Sequence, residues 1–481
     1  MDKRQSNGRI TDQEDIENYL VSIGAEGIKY CEPTKDESIE LFIAYNRIIS
    51  TKMYGENGNE EADSKELIDY GVGIRIATRS GLGFAATSSF DLDKIRNAAK
   101  LARAVARSRA KPTDFSFPNN NAKSKVDGLY DSKFKEIDSE KVLDLTESIS
   151  SSASNFSKSI KKISGSLSTS QSFYALLNSN GGLLTSKCTL FETYFNSVSD
   201  SSGVAESNGS KSGRYIDALR AREFGEQIAE NALSRKGAIK LESGTYDVIL
   251  GHQPSSIITA HFVLLTSCTL SKRYEVTLLK KKGKVIGSEN ISLIDDPTMP
   301  SGVNSCEFDD DGLPSKKRVF IDNGRFVDFA YDLYSSAQLG QVEAGNGFRL
   351  PTSAGSQYYT GKRYDFEPVG IMINPYFKPG KKSSRSLLEE TSGGLLIDNL
   401  HYARIVDPID GTFSSVLRSD LYKIKQDGTL VPVRRGRLID RLKRILVNVC
   451  DMSDTLDISG AWGFGFYHSP ARRTKAYIES I

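Results

Sequence analysis

The spacing of apolar positions in the first half of the chain changes from the period of a strand to that of a helix. In GVGIRIAT, residues 71–78, apolar side chains alternate with others, which predicts one strand of a hairpin with a buried face. Residues 91–108 instead repeat apolar positions every three or four residues, and Asp91 is placed to cap the resulting helix. The apolar face predicted for this helix comprises Ile95, Ala98, Ala99, Ala102 and Val105. The acidic stretch 56–69 predicts a surface loop.

Turn residues dominate the pattern of the second half. Asn323-Gly324 and Asp427-Gly428 are pairs that reach positive φ at low cost, as the type I′ turns of hairpins require. Helices mixed with strands in the first half, followed by hairpins in the second, predict an α+β fold of two domains. We place an N-terminal α/β domain at 1–238 and a C-terminal domain dominated by antiparallel β-sheet at 239–481.

Composition narrows the cellular setting and the classes of partner. Lys and Arg number 63 and Asp and Glu number 61, so no overall field attracts nucleic acid or an anionic membrane. The five cysteines are scattered without a CxxC pair, which is typical of a reducing compartment and argues against a structural zinc module. No apolar run approaches the roughly 18 residues of a membrane span. We therefore expect a cytoplasmic protein with no membrane partner.

Two of the four histidines lie in YDVILGHQPSSIITAHFVLLTSC, residues 246–268. The pattern predicts a strand that ends at Gly251 and a helix over about 254–270, because proline suits a first helical turn. His261 falls on the buried face of that helix, and His252 falls in the turn before it. A zinc-binding helix such as HExxH needs two histidines four residues apart and a glutamate beside the first. The residues alone therefore favour a core histidine over a metal ligand.

Three other segments carry candidate chemistry. The acidic clusters at 295–296 and 309–311 lack the alternate spacing of a calcium loop, which favours turn carboxylates, although a pair acting as acid and base stays open. The basic run 434–449 has an apolar stripe and predicts an amphipathic helix, for which a solvated face is the commoner interpretation. The glycine-bearing loops at 345–349 and 391–396 indicate tight backbone that a peptide or another strand can approach.

Several motifs, taken in order along nearly the whole chain, resemble a known family. The first half carries GVGIRIATRSGLGFAATSSF and LLNSNGGLL. The second half carries YDVILG, LIDDPTMPSG, FDDDGLPSKKRVFIDNGRF, GNGFR and LDISGAWGFGFYHSPARRTKAYIES. Their order and spacing resemble the TldD/PmbA family, also called TldD/TldE, whose members are regarded as metallopeptidases. The resemblance implies a dimeric intracellular protein of two domains that acts in the clearance or maturation of peptides.

The chain departs from the zinc pattern that the resemblance implies for catalytic members. TldD-type subunits carry HExxxH and a later cysteine, and PmbA/TldE-type subunits lack them. The best placement puts His261 at the first histidine, Phe262 at the glutamate and Thr266 at the second histidine, with Trp462 near the cysteine position. A zinc peptidase needs three protein ligands and a base for the bound water. The resemblance therefore implies no catalytic residue and no metal in this chain.

The resemblance also implies the partners. We expect a PmbA/TldE-like subunit that pairs with a zinc-bearing TldD-like catalytic subunit or with itself, and that holds unfolded peptide substrate. The candidates for the peptide groove are Gly345, Asn346, Gly347 and Arg349, since strand addition binds main-chain groups. Two alternatives remain open. One is an active hydrolase of peptide bonds with other ligands such as His252, His261, His468 or a cysteine; the other is a nucleic-acid-associated modulator that uses Arg434 to Arg444.

Overall fold

The structure is a computed structural model that describes residues 13–56, 59–109, 115–119, 121–200, 205–235, 237–269, 281–340, 342–349, 364–407, 409–418, 420–461 and 465–480. Trp462 lies outside these described residues. Within the described residues, the helices that the chain forms are too short or too polar to cross a membrane. The combination of helices with largely antiparallel sheets confirms the α+β class.

The N-terminal part is built on one antiparallel sheet in the order β3-β2-β1-β4-β5-β6. Its strands are β1 (Glu37–Glu56), β2 (Asn59–Thr78), β3 (Gly81–Thr87), β4 (Ile160–Asn178), β5 (Leu183–Ser199) and β6 (Ala205–Gly213). The prediction of a surface loop at 56–69 is wrong, because most of that stretch belongs to β2. Strand β2 pairs with β1 over its full length, from Glu37↔Thr78 to Glu56↔Asn59. Backbone pairing with β1 in this hairpin has overridden the polar composition.

Four helices cover one face of this sheet. They are α1 (Gln13–Tyr30), α2 (Leu92–Ser108), α3 (Ser139–Phe156) and α4 (Ala221–Leu233). The Asp91 cap is confirmed, since its carboxylate accepts from the Lys94 backbone N–H at 3.0 Å. The apolar face predicted for α2 needs one correction: Val105 is 38% exposed, and Ala106 takes the buried position. The helix turns Ala106 toward the sheet because it follows Ala102 by four residues.

Both faces of β1 are buried, for different reasons. Odd-numbered residues such as Leu41 and Ile43 pack with the helices. Even-numbered residues such as Phe42 and Ala44 pack against Phe308 and Tyr364 from the second half of the chain. The side chains of a strand alternate between its two faces, so a strand enclosed in this way must be apolar at nearly every position. The sheet therefore joins the helical layer to the C-terminal part.

The C-terminal part is organised around a mixed sheet in the order β15-β16-β19-β23-β7-β14-β17-β18, with β20 paired to β23. Its strands are β7 (Gly244–Leu250), β14 (Leu395–Ile397), β15 (His401–Asp407), β16 (Thr412–Leu417), β17 (Leu421–Ile424), β18 (Leu430–Pro432), β19 (Gly436–Arg441), β20 (Asp451–Met452) and β23 (Arg472–Ser480). A smaller four-stranded antiparallel sheet contains β8 (Leu293–Asp295), β9 (Arg318–Asp322), β10 (Arg325–Phe326) and β13 (Pro375–Phe377). Two further antiparallel pairs are β11 (Gly347–Phe348) with β12 (Val369–Gly370), and β21 (Asp457–Ala461) with β22 (Gly465–Ser469). The helices are α5 (His252–Thr266), α6 (Leu333–Gln338), α7 (Ser384–Glu390) and α8 (Leu442–Val447).

Two local predictions for this half have different outcomes. The turn at Asn323-Gly324 has φ of 44° and 77°, which confirms the positive φ that a type I′ turn requires. The single basic helix at 434–449 is wrong, because Gly436–Arg441 forms β19 and only Leu442–Val447 is helical. Strand β19 lies between β16 and β23, and those neighbours supply hydrogen bonds that a helix would forgo.

We predict that Gly83→Ala destabilises the protein by about 1–3 kcal/mol, because overpacking a closed contact forces backbone shifts. A Cβ on Gly83 would lie 2.0 Å from the Ala102 carbonyl oxygen, so α2 packs directly on β3 at this point. Gly244→Ala is the control, since its new Cβ would come no closer than 3.6 Å to a neighbouring atom and should change stability by less than about 0.5 kcal/mol. Urea unfolding of both variants measures the difference, and equal midpoints would contradict the close packing.

Candidate functional site

Helix α5 begins where β7 meets a second strand, β14. The Gly251 N–H donates to the Ile397 carbonyl at 2.9 Å, and the Gly251 carbonyl accepts from the Ser255 N–H at 3.0 Å. A Cβ on Gly251 would lie 1.8 Å from a carboxylate oxygen of Asp398, so a larger residue here would force the Asp398 side chain to move. The helix covers His252–Thr266, and therefore starts two residues earlier and ends sooner than the sequence pattern predicts.

Arg472 on β23 fixes the first turn of α5. Its Nε donates to Ser255 Oγ at 3.0 Å and its Nη2 donates to the Ser255 carbonyl at 3.1 Å. The guanidinium also lies over the ring of Phe377, 4.4 Å from the centroid. Desolvation in this site lowers the pKa of Arg472 to about 9. The start of the helix is therefore held by a buried cation and an aromatic ring.

His261 is in the core, as its helical spacing predicts. Its side chain is 1% exposed, and its Nδ1 lies 2.7 Å from the Ile257 carbonyl one turn earlier. That geometry places the proton on Nδ1 and leaves Nε2 as the basic nitrogen of a neutral ring. Burial lowers the pKa of His261 below its ordinary value of 6.5, against a smaller opposing effect of the Ile257 carbonyl. The imidazole is therefore in the neutral form that a metal would bind.

The neighbouring positions on α5 are occupied by packing residues. Phe262 packs edge-to-face on Phe377, with the ring centroids 6.3 Å apart. The Thr266 hydroxyl donates to the Phe262 carbonyl at 2.8 Å, and the Thr266 carbonyl accepts from the Ala330 N–H at 2.9 Å. His252 lies nine residues before His261, which is about half a turn away around the helix axis. Helix α5 therefore does not bring the two histidines together.

A second constellation, the buried ion network, lies between the N-terminal and C-terminal parts of the molecule and comprises Glu40, Arg75, Asp310, Asp311 and Arg349. Arg75 donates from Nε and Nη2 to the two oxygens of Glu40 at 2.7 and 2.8 Å. Its Nη1 donates to Asp311 at 2.6 Å. The side chains of Arg75, Glu40 and Asp311 are at most 2% exposed. A strand of the N-terminal sheet is thus bound through buried charges to the C-terminal part.

Arg349 adds a second cation to this network. Its backbone N–H donates to Asp310 at 2.7 Å, and its Nη2 lies 3.6 Å from Glu40. The guanidinium stacks over Phe42 on β1 at 4.5 Å from the ring centroid. Burial is the main reason that the pKa of Arg349 falls to about 10. The same burial raises the pKa of Glu40, and the two guanidinium groups oppose that rise.

The loop 345–349 is built into the network through its backbone. Gly347 N–H donates to Asp309 at 3.0 Å, and a Cβ on Gly347 would lie 2.0 Å from an oxygen of Asp311. Asn346 donates from Nδ2 to Asp295 at 2.9 Å, and Gly345 has φ of 120°. The close approach predicted for this loop occurs with carboxylates of the chain itself. A peptide-binding role for Gly345, Asn346, Gly347 and Arg349 stays a prediction.

The carboxylates at 309–311 lie in a turn, as the sequence favoured, and the Asp309 carboxylate accepts from the Asp311 and Leu313 N–H groups at 3.1 and 2.8 Å. Asp295 instead ends strand β8. All four of these carboxylates are fully buried, which the sequence did not indicate. Burial raises the pKa of Asp295 to about 7, and burial together with Asp311 raises that of Asp309 well above its ordinary value.

The network around Arg75 was not predicted from the sequence, although two features of the sequence pointed to it. One is an arginine within an apolar strand, and the other is a run of three aspartates in an apolar, β-rich segment.

Comparison with known families decides the classification. A model described as the PmbA/TldA metallopeptidase central domain matches residues 132–236, and the C-terminal domain model of the same family matches residues 243–475. Together the two matches cover well over half of the chain. The chain belongs to the PmbA/TldD metallopeptidase family.

Individual members are distant in sequence and close in fold. A metalloprotease TldD homolog from Buchnera aphidicola is 22% identical over 82% of this chain and 81% of its own length. A second TldD homolog, from Haemophilus influenzae, is 22% identical over 81% of this chain and 80% of its own. The crystal structure of TldE from Thermococcus kodakarensis superposes with a TM-score of 0.80 at 19% identity, covering 96% of this chain and 99% of that one. The PmbA/TldD fold is thus shared over nearly the whole chain.

The zinc site implied by the PmbA/TldD family does not fit the residues of α5. One neutral imidazole is present at His261, but a phenyl ring and a hydroxyl engaged with the backbone lie where the placement made from the sequence resemblance expects the glutamate and the second histidine. Among the described residues, no group of three or more His, Cys, Asp or Glu side chains is placed to hold a metal ion. Neither phenylalanine nor a threonine committed to the helix supplies a zinc ligand or a general base.

We predict that Arg75→Ala lowers the free energy of unfolding by about 3–5 kcal/mol, because Glu40 and Asp311 would remain buried without their main partner. Arg79→Ala is the control on the same hairpin. Its ion pair with Asp36 is exposed at 87% and 67% of the two side chains, so its loss should cost about 0–1 kcal/mol. Chemical denaturation of both variants tests this, and equal losses would show that the network does not hold the two parts together.

A second prediction concerns pH. Since the pKa of Asp295 is raised from 3.8 to about 7, the native state keeps a proton that the unfolded chain releases between these values. Stability therefore falls as pH rises through this window, by up to about 1.4 kcal/mol per pH unit. Asp295→Asn should remove this slope. Asp427, whose pKa is lowered mainly by the Thr429 N–H, is the control, because Asp427→Asn should leave the slope above pH 4.5 unchanged.

The measurement is urea unfolding at pH 4.5, 5.5, 6.5 and 7.5 for the wild type and both variants. The stability of the wild type relative to Asp295→Asn should decline along this series. A constant difference would mean that Asp295 titrates in the folded protein as it does in the unfolded chain.

Proposed function

We propose that this chain is a non-zinc subunit of PmbA/TldE type, which pairs with a zinc-bearing TldD-type subunit in the proteolysis or maturation of unfolded peptides. In this role the chain is cytoplasmic and forms a dimer, with the partner subunit supplying the metal. The chain itself contributes binding and enclosure of the peptide, and no catalytic group.

The observation that carries this proposal is the packing of Phe262 and Thr266. Both are buried, Phe262 against Phe377 and Thr266 against the backbone of its own helix. Conversion to glutamate and histidine would place a carboxylate and a second imidazole in an apolar core, at a cost that only a bound metal would offset. Phe262 and Thr266 therefore stabilise the folded core of this chain and supply no metal ligand.

We predict that the isolated protein, purified without chelator, contains far less than one zinc per chain and does not cleave unfolded peptides. His261→Ala should leave the metal content unchanged, and so should the control His252→Ala, because neither histidine has the other two ligands. Elemental analysis by mass spectrometry and a fluorogenic peptide assay give the two readouts. One zinc per chain that is lost together with peptidase activity in His261→Ala would overturn the proposal.

The pairing is tested separately, by affinity purification from the native cell. Recovery of a related chain that contains HExxxH, together with zinc and peptidase activity in the complex, supports the proposed subunit role. Purification of a self-paired chain that has peptidase activity would contradict it.

A further inference from the structure

An open cavity of about 270 Å³ lies on one face of the C-terminal sheet, over strands β15, β16 and β19. Its lining residues are Tyr402, Arg404, Ser414, Val416 and Arg437, and we name it the two-arginine pocket. Its volume is just below the range of about 300–1,000 Å³ that is typical of sites for drug-sized ligands. The pocket therefore suits a small ligand.

The strand register brings the two arginines to the same face of the sheet. Arg404 on β15 is opposite Ser414 on β16. Arg437 on β19 is opposite Val416, which follows Ser414 by two residues on β16. Residues that are opposite each other in a sheet, and residues two apart on one strand, project from the same face. The backbone pairing therefore places all four side chains in one patch.

This patch is on the face of the sheet that is turned away from α5. Phe413 and Leu417 of β16 are buried in the core, and the Phe413 ring lies 6.2 Å from that of His261, measured between centroids. Side chains alternate along a strand, so Ser414 and Val416 project from the opposite face. The pocket is therefore separate from the helix on which the resemblance places the zinc motif.

The lining of the pocket favours an anion. Arg404 and Arg437 supply guanidinium N–H donors, Ser414 supplies a hydroxyl, and none of the lining side chains that the structure describes is a carboxylate. In the described part of the chain, neither arginine has a carboxylate within ion-pair distance, and Nε of Arg437 is buried without a hydrogen-bond partner. Two cations in one cavity repel each other, and an anion between them would offset that repulsion.

The neighbouring charges do not neutralise the pocket. Arg441, on the same strand as Arg437, pairs with Asp410 at 2.9 Å, which is the partner that the pocket arginines lack. Glu479 is opposite Arg437 in the strand register, but over the described ranges it forms no ion pair with that arginine and does not line the cavity. The unpaired positive charge of these strands is therefore concentrated at the two-arginine pocket.

We infer that the two-arginine pocket binds a phosphate group, either as inorganic phosphate or as the phosphate of a small monoester. The oxygens of a phosphate are strong acceptors, as a lining of donors requires, and its charge of about −1.5 to −2 at neutral pH matches two guanidinium groups better than the single charge of a carboxylate. Among the lining residues that the structure describes, Val416 is the only aliphatic one, which leaves little apolar contact for a large organic body. The inference is independent of the proposed subunit role.

The test measures binding of inorganic phosphate to the isolated full-length chain by isothermal titration calorimetry at pH 7.5, with chloride as the only other small anion. Saturable binding at one site per chain is expected. The variant R404Q/R437Q should bind about tenfold or more weakly, because it loses the charge-assisted hydrogen bonds of both guanidinium groups. The control R435Q removes an exposed charge of the same basic run that does not line the pocket, and should keep the affinity within about twofold.

Two further titrants identify the chemistry of the ligand. Acetate should bind about tenfold or more weakly than phosphate, because it brings one charge to two cations. Tighter binding of phenyl phosphate than of inorganic phosphate would assign the pocket to a monoester, and the reverse order would assign it to the free ion.

Three results would overturn the inference. They are the absence of saturable phosphate binding to the wild type, equal affinities for acetate and phosphate, and an unchanged phosphate affinity in R404Q/R437Q with an unchanged Tm. The single variants R404Q and R437Q replace the double variant if its Tm falls, and an unchanged affinity in both would equally refute the site.

Discussion

The contact of Arg75 with Glu40 and Asp311 is the constraint on which the arrangement of the two parts depends. Glu40 and Arg75 come from paired strands of the N-terminal sheet, and Asp311 comes from the C-terminal part. Separating the partners of a buried ion pair is costly, because the charge that is left carries the cost of desolvation. The Arg75 contacts therefore favour the relative position of the two parts that keeps Asp311 beside Arg75. The loops around Asp309 and Gly347 acquire their shape from the same requirement, since their N–H groups also need acceptors.

The apolar surroundings of α5 determine which side chains this helix can carry. In a zinc peptidase of this family, the helix would carry ligands and a base, and the surrounding structure would have to tolerate charge. Here Phe377 links Phe262 to the guanidinium of Arg472, so one ring serves both the helix face and the helix start. His261 is kept neutral by its surroundings and is bonded to its own helix. Under the proposed function, this chain uses the fold of the family to bind peptide, and the partner subunit supplies the metal.

The sequence pattern predicted the elements whose structure depends on interactions between residues that are close together in the chain. Helix α2 and its Asp91 cap, the turn at Asn323-Gly324 and the core position of His261 all follow from spacing or from single-residue preference. Strands β2 and β19 were not predicted, because their polar residues form strands through backbone pairing with β1 and β16, which residue composition does not reveal. The buried ion network was missed because Arg75 and Asp311 lie far apart in the chain. The sequence contains Arg75 and Asp311, but only the tertiary structure shows that the two side chains pair. The placement of Phe262 and Thr266 came from resemblance, which adds long-range information that periodicity lacks.

The separation of Arg75 from Asp311 by 236 residues has a consequence for biosynthesis. At about 5–20 residues per second, a ribosome needs roughly 10–50 s to make the chain between them. During that interval the Glu40–Arg75 pair, which closes within one hairpin, must stay hydrated or be sheltered by other proteins. The N-terminal sheet also lacks the apolar cover that Phe308 and Tyr364 later provide. The nascent chain is therefore exposed to aggregation until its second half emerges, so translation speed and chaperone supply become determinants of its yield.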